Sequence, residues 1–326
     1  MRDLDQLALA LRRLLPNGAG LTGIRSLTTG FSNETYILEG LDCVLRLPPA
    51  AGAMLEGHDV VGQGRIYQEL AKCPDAPPVP QVVSICADTS VIGVPFFVME
   101  RVAGESIDDM QMTPWFVEGR DALRRQVCAD WVSAFSSLSN LDPLVVLGAA
   151  VSPEEDARMW QGFAGTANCP KLVAMFDRLL ARPAPISGPP AIIHGDPKLS
   201  NLMWQDQRIT AMLDWEMALN GEPLANLGYM LFFFASDYHG ATRAQKLPGM
   251  LSRDEAIALW EEVSGRSAEG IFWHEIAQVG KLGAIIAEGA NMLDTGRSSD
   301  PRLTYFKQNL DYYLGAMAAM LDGGGY

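Results

Sequence analysis

Positive charge is scarce in this chain: 25 Lys and Arg stand against 39 Asp and Glu, for a net charge of −14. Such a field repels phosphate backbones and anionic lipid, which excludes nucleic acid and a membrane surface as expected partners. Cysteine is sparse and odd in number: Cys43, Cys73, Cys86, Cys128 and Cys169 form no CxxC pair and have no close His. That pattern supports neither a zinc site nor a disulfide framework and suits buried thiols in a reducing compartment. Long apolar runs are missing too. The longest, LGYMLFFFAS over residues 227–236, falls short of the roughly 20 residues a membrane-spanning helix needs. The N-terminal MRDLDQLALALRRLLPNG sets acidic residues before an amphipathic helical spacing, unlike the basic start and continuous apolar core of a signal peptide. A cytoplasmic protein, monomer or homodimer, is the expectation.

What is present is ample apolar material. With 326 residues, 48% of them hydrophobic and 20% charged, the chain can bury a large core and is long enough for two domains or one two-lobed unit. From residue 21 to about 101, β-prone runs (GIRSL, ETYILEG, CVLRL, QVVSIC, PFFVMER) alternate with Gly, Asn and Pro turns. One helix is expected among them, over 56–72, although its glycines weaken its start. The stretch VAGESIDDM over 102–110 reads as a linker. Helical periodicity then dominates over 114–139, 153–181, 223–235, 253–263, 267–293 and 303–321, with Pro near the start of three segments. Strand-like AIIHG, NLMWQ and RITAMLDW interrupt it, with Asp206-Gln207 as a hairpin turn.

Within that interruption lie IHGDPKLSN and LDWE, which bring Asp196, Asn201 and Asp214 into one short region. A loop carboxylate can accept a hydroxyl proton, while an amide oxygen and a second carboxylate are hard ligands suited to Mg²⁺. Phosphoryl transfer needs that division of labour, because its catalysis is mostly positioning and charge neutralisation. Read alone, Asp196-Pro197 is an ordinary turn; the spacing to Asn201 and Asp214 points to chemistry. His194 reads as a structural ring that holds the loop. His58, His239 and His274 are too far apart for a metal site.

IIHGDPKLSN and AMLDWEMALNGEPLANLGYML, with TTGFSNETYIL, CVLRLPP and VPFFVMERVAGE upstream in the same order, resemble the aminoglycoside phosphotransferase and choline kinase superfamily. Within it, the chain is most similar to the branch that includes the kinase-like domains of acyl-CoA dehydrogenase family members 10 and 11. The resemblance implies an α+β, two-lobed protein-kinase-like fold: a nucleotide-binding lobe over 1–101 with a small antiparallel sheet and one helix, a hinge and linker over 102–110, and a helical lobe over 111–326. It implies ATP and Mg²⁺ as cofactors, Asp196 as catalytic base, and Asn201 and Asp214 as metal ligands. Phe31, Ser32 and Asn33 fall in the phosphate-covering turn, Arg46 replaces the usual phosphate-binding Lys, and Glu100 to Val102 form the adenine hinge. Lys198 either steadies the γ-phosphate or faces solvent, and Glu216 either assists the metal through water or caps a turn. The inserted helix lacks the usual Glu partner for Arg46; either Glu69, about one turn further on, or another group takes its place.

These residues lead to an expected kinase that moves the γ-phosphoryl group of ATP to a hydroxyl of a small molecule. The acceptor is expected in the helical lobe, over 153–181 and 236–303. Glu154, Glu155, Asp156, Glu261 and Glu262 are compatible with an aminoglycoside, whereas Phe272, Trp273 and Met292 suit a hydroxyacyl or other moderately apolar alcohol. A pseudokinase that binds nucleotide without turnover is the competing reading. A metal-dependent hydrolase using His194 and Asp196 lacks further ligands.

Overall fold

The computed structural model describes residues 3–27, 33–49, 54, 59–108, 113–234 and 247–323. Phe31, Ser32, His58 and His239 lie outside these residues, as do residues 236–246 of the expected acceptor region.

Helix α1 (Leu4–Leu14) is started by Asp3, whose carboxylate accepts from the amides of Asp5 and Gln6. The five-stranded antiparallel sheet follows: β1 (Gly23–Leu27), β2 (Glu34–Glu39), β3 (Cys43–Leu47), then helix α2 (Val60–Leu70), β4 (Val82–Cys86) and β5 (Phe96–Glu100). Its strand order is β1-β2-β3-β5-β4. Strand alternation sorts side chains to two faces. Leu45, Leu47, Phe96 and Val98 pack with Leu7 and Leu11 of α1, whereas Val44, Phe97 and Met99 pack with Ile66, Tyr67 and Leu70 of α2. Arg46, two positions after Val44, is thereby aimed at the α2 side. The helix begins at Val60 with Asp59 as its cap, and Gly64 has a packing purpose. A Cβ there would lie 3.0 Å from Ile85 and 3.1 Å from Phe97, so the glycine lets α2 approach the sheet.

Beyond the sheet, the segment expected as linker contributes β6 (Glu105–Ser106). The single helix expected over 114–139 is two, α3 (Pro114–Val117) and α4 (Asp121–Ser137). At Gly119 a Cβ would meet the Trp115 carbonyl at 2.8 Å, and the Arg124 guanidinium takes up the carbonyls of Val117 and Gly119 that the break exposes. Likewise, 153–181 divides into α5 (Pro153–Thr166) and α6 (Pro170–Leu180), because Asn168 turns left-handed at φ 55° just before Pro170.

Strand β7 (Ala191–Ile193) precedes β8 (Leu202–Gln205) and β9 (Arg208–Met212). Positive φ at Asp206 (50°) and Gln207 (62°) gives the tight hairpin turn between β8 and β9. A further strand, β10 (Leu219–Gly221), pairs with β7, while β6 joins β8 and β9. Among the described residues, four helices follow: α7 (Leu224–Phe234), α8 (Arg253–Ser264), α9 (Ile271–Asp294) and α10 (Leu303–Leu321). Helix α9 starts later than the periodicity predicts, since Gly270 adopts a left-handed φ of 78°. The result is the expected α+β, two-lobed arrangement, a small antiparallel sheet followed by a mainly helical part. All five cysteines are free, and among the described residues no helix is long and apolar enough to cross a membrane.

Candidate active site

Strand β7 delivers His194, Gly195 and Asp196 into a loop fastened on several sides. Gly195 sits at φ 83°, and a Cβ there would lie 2.1 Å from the Met217 carbonyl oxygen. Only glycine fits. His194 is fully buried, with its ring 4.6 Å from that of Trp215. Its Nδ1 accepts from the Asp196 amide at 3.2 Å, so Nε2 bears the proton and donates to the Leu213 carbonyl at 2.8 Å. One neutral ring therefore ties the Asp196 loop to the Asp214 loop. Burial pushes its pKa down to about 4, against the opposing pull of Asp196 and the Leu213 carbonyl. Asn226 of α7 accepts from the amides of His194 and Gly195 at 3.2 and 3.3 Å, and the Trp131 indole donates to the Pro197 carbonyl.

Asp196 itself is 6% exposed. Its Oδ1 accepts from the Tyr229 hydroxyl at 2.5 Å, and its Oδ2 meets Asn201 Nδ2 and Lys198 Nζ, each at 2.9 Å. Burial drives this carboxyl toward the neutral form. The Lys198 charge, the Tyr229 hydroxyl and the remaining contacts outweigh it and hold the pKa below the usual carboxylate range. A buried carboxylate is thus kept ionised. Lys198, placed by sequence either on a phosphate or in solvent, rests on Asp196.

The Asn201 nitrogen donates both to the Asp196 carbonyl at 2.8 Å and to its carboxylate. Two acceptors on one side identify that atom as the NH₂ and leave the amide oxygen as the hard-ligand end. The Leu213 amide donates to the Asn201 carbonyl at 2.8 Å, which sets Asp214 beside Asn201. Asp214 adopts a left-handed conformation, φ 66° and ψ 58°, in which few non-glycine residues are at ease. Among the described residues, no cluster of three or more His, Cys, Asp and Glu could hold a metal ion. One carboxylate and one amide still fit Mg²⁺, which keeps several waters and takes phosphate oxygens for the rest of its octahedron.

Arg46 reaches across from β3. Its Nη2 pairs with Asp214 Oδ1 at 2.8 Å and its Nη1 donates to Thr35 Oγ1 at 2.9 Å. Burial lowers its pKa, yet Asp214 and Glu216 more than compensate, and the guanidinium stays charged. Glu69 is not the partner. It pairs with Lys72 at 2.8 Å on the exposed side of α2, about 200° around the helix from Tyr67 at roughly 100° per residue. The inward face carries Gln63 and Tyr67, one turn apart. The Tyr67 hydroxyl accepts from the Asp214 amide at 3.0 Å, and burial raises its pKa well above normal. Gln63 accepts from Asn33 Nδ2 at 3.1 Å, and the same nitrogen donates to Glu216 at 2.9 Å. Asn33, just before β2, therefore joins the inserted helix and the Asp214 loop. At the expected hinge, the Glu100 amide is bound to the Gln81 carbonyl and the Arg101 amide to that of Asp42, beside Val102.

Sequence reasoning missed Tyr67, Gln63, Asn226, Tyr229 and Lys281. Tyr229 and Asn226 sit in a helix whose apolar composition reads as core, and Lys281 lies among small and apolar residues of α9. A lone polar group within such a run was the available signal.

Comparison with known proteins agrees with this geometry. Residues 23–263 match the phosphotransferase enzyme family. Acyl-CoA dehydrogenase family member 11 of Gallus gallus is 28% identical over 226 residues, covering 66% of this chain and 28% of that protein. The chain thus spans less than a third of this curated relative's length. A crystal structure described as a candidate aminoglycoside phosphotransferase from Ralstonia eutropha JMP134 superposes over 100% of both chains, with a TM-score of 0.78 and 20% identity. ADP-bound aminoglycoside phosphotransferase APH(2'')-Ib gives a TM-score of 0.59 at 12% identity, covering 98% of this chain and 99% of that one. These structures share the fold, and the matched segment takes in the sheet, the Asp196 loop and Asp214: the chain belongs to the phosphotransferase enzyme family.

Proposed function

We propose that this phosphotransferase is an ATP- and Mg²⁺-dependent small-molecule kinase that moves the γ-phosphoryl group to an alcohol. The observation that carries the proposal is the Asp196 carboxylate, buried yet held ionised within hydrogen-bond reach of Asn201 and Lys198. In this reading residues 1–101 hold the nucleotide, 102–110 form the hinge and 111–326 supply the base, the metal ligands and the acceptor site. Phe31, Ser32 and Asn33 cover the phosphates, and backbone groups from Glu100 to Val102 meet the adenine. Arg46 transfers its fork from Asp214 to the phosphates, a geometry that guanidinium matches well. That exchange releases Asp214 to act with Asn201 as a ligand. Bound there, Mg²⁺ would neutralise charge on the phosphate oxygens. Lys198 moves from Asp196 toward the γ-phosphate, and Asp196 Oδ2 then accepts the proton of the acceptor hydroxyl. The ADP-bound neighbour supports the nucleotide assignment.

The acceptor in this proposal is a neutral or anionic alcohol, such as a hydroxyacyl compound, rather than an aminoglycoside. A polycation needs carboxylates that are available to it, and most of the candidates have structural duties. Glu154 accepts from the Ala184 amide, Glu155 closes a capping box with Ser152, and Glu261 accepts from the Ala268 amide. Asp156 accepts from the Trp160 indole, Glu275 is gripped by Arg253, and Glu288 pairs with Arg297; Glu262 is simply exposed on α8.

The Arg46–Asp214 pair favours one second reading, a nucleotide-binding module whose metal ligand stays blocked. ATP consumption by wild type and Asp196→Asn, with neutral, anionic and cationic alcohols, tests both. Asp196-dependent turnover with a neutral or anionic alcohol supports the kinase. ATP binding with no turnover on any alcohol supports the blocked module.

A further inference from the structure

The Gly195–Asp196 peptide presents a mechanical problem. Glycine at φ 83° permits that peptide plane to rotate more readily than any other residue would, yet the plane sets the direction of the base that follows. Its N–H is fixed by His194 Nδ1. Its carbonyl is fixed from a distant part of the chain, by the Lys281 ammonium of α9. Lys281 is 3% exposed, an unusual place for a lysine, and its Nζ lies 5.0 Å from the Trp160 ring centroid and 5.8 Å from that of Tyr229. Tyr229 in turn holds Oδ1 of Asp196. Other buried charges of the helical part serve other purposes: Glu275 is forked by Arg253 and Glu288 is paired with Arg297.

We propose that Lys281 is a positioning residue for phosphoryl transfer: it fixes the Gly195 carbonyl and supports the Tyr229 ring, and through both it sets the orientation of the Asp196 carboxylate. The proposal rests on the reading of Asp196 as the proton acceptor. It makes Lys281 important during the reaction, when Lys198 departs for a phosphate and Asn201 and Tyr229 continue to orient the carboxylate. Misdirecting a base by a fraction of an ångström lowers the rate of transfer without weakening nucleotide binding on the sheet side.

The test is Lys281→Met, which keeps the length and apolar stem of the side chain and removes its donor. Removing this buried cation alone leaves the Gly195 carbonyl without its donor and Asp156 and Asp196 without its charge, so some stability is lost as well. The expected result is a kcat lowered about tenfold or more and a KM for ATP within about twofold of wild type, read at a temperature where the variant is folded. A kcat within about twofold of wild type overturns the proposal. If kcat and thermal midpoint fall together, Lys281→Ala assayed with added propylamine decides: restored kcat supports positioning, and no restoration overturns it. Asp196→Asn run alongside separates the two levels. Turnover that survives Asp196→Asn defeats the reading of the base, whereas turnover lost in Asp196→Asn but intact in Lys281→Met defeats only the role of Lys281.

Discussion

His194 offers a quantitative check on how the two functional loops are joined. Its ring is wholly buried and neutral, with a pKa of about 4 against 6.5 for an ordinary histidine. Because the folded value is the lower one, the contribution to stability is complete above pH 6.5 and is lost as pH falls toward 4. The full difference corresponds to about 3 kcal/mol, of which about 2 kcal/mol has been lost at pH 5. His194→Gln keeps an amide that can donate to the Leu213 carbonyl and removes the titration. The variant is expected to be less stable at pH 7 but to lose about 2 kcal/mol less than wild type between pH 7 and pH 5. Contributions from carboxylates and from His274, also held near pKa 4 by burial, are common to both proteins and cancel. Urea unfolding followed by tryptophan fluorescence reads the difference, since Trp215 lies against the His194 ring. Equal losses in the two proteins would refute the buried neutral ring.

Four further outcomes follow from the same contacts. Arg46→Met should raise the KM for ATP about ten- to hundredfold, because charge-assisted forks to phosphate are among the stronger hydrogen bonds; Glu69→Ala should leave steady-state kinetics unchanged, its partner being the exposed Lys72. Tyr229→Phe retains the ring and removes the donor on Asp196 Oδ1, so single-turnover rates should fall about tenfold or more, with ATP affinity retained. Gly195→Ala meets both a positive φ and the Met217 carbonyl, and denaturant unfolding should show a loss of at least about 2 kcal/mol together with loss of turnover.

Much of the architecture was legible because it follows from local pattern. The five strands of the sheet, the Asp206-Gln207 hairpin and most helices are set by alternation, turn residues and 3.6-residue periodicity, which neighbouring residues alone determine. The breaks at Gly119 and Asn168 were not, since each depends on what a distant or following group does: the Arg124 guanidinium collects the freed carbonyls at the first, and Pro170 stops continuation at the second. The same division runs through the candidate site. Asp196, Asn201, Asp214 and Arg46 were visible as a spaced pattern of chemistry-bearing residues, and the chain brings Arg46 onto Asp214 and Asn201 onto Asp196. The partner of Arg46 was not visible. One-turn proximity favoured Glu69, but helix phase turns Gln63 and Tyr67 inward instead. Tyr229 and Lys281 stand out locally only as polar groups within apolar runs, and an apolar helix does not say which loop, many positions away, each one meets.

The central claim is that a buried, ionised Asp196 accepts the proton of an alcohol during phosphoryl transfer. Its most direct test follows label from γ-labelled ATP into a neutral or anionic alcohol, with wild type and Asp196→Asn compared at equal nucleotide occupancy. Labelled phosphoester is expected from wild type, with a rate lower by at least about a hundredfold in the variant. Equal transfer by the two proteins would contradict it.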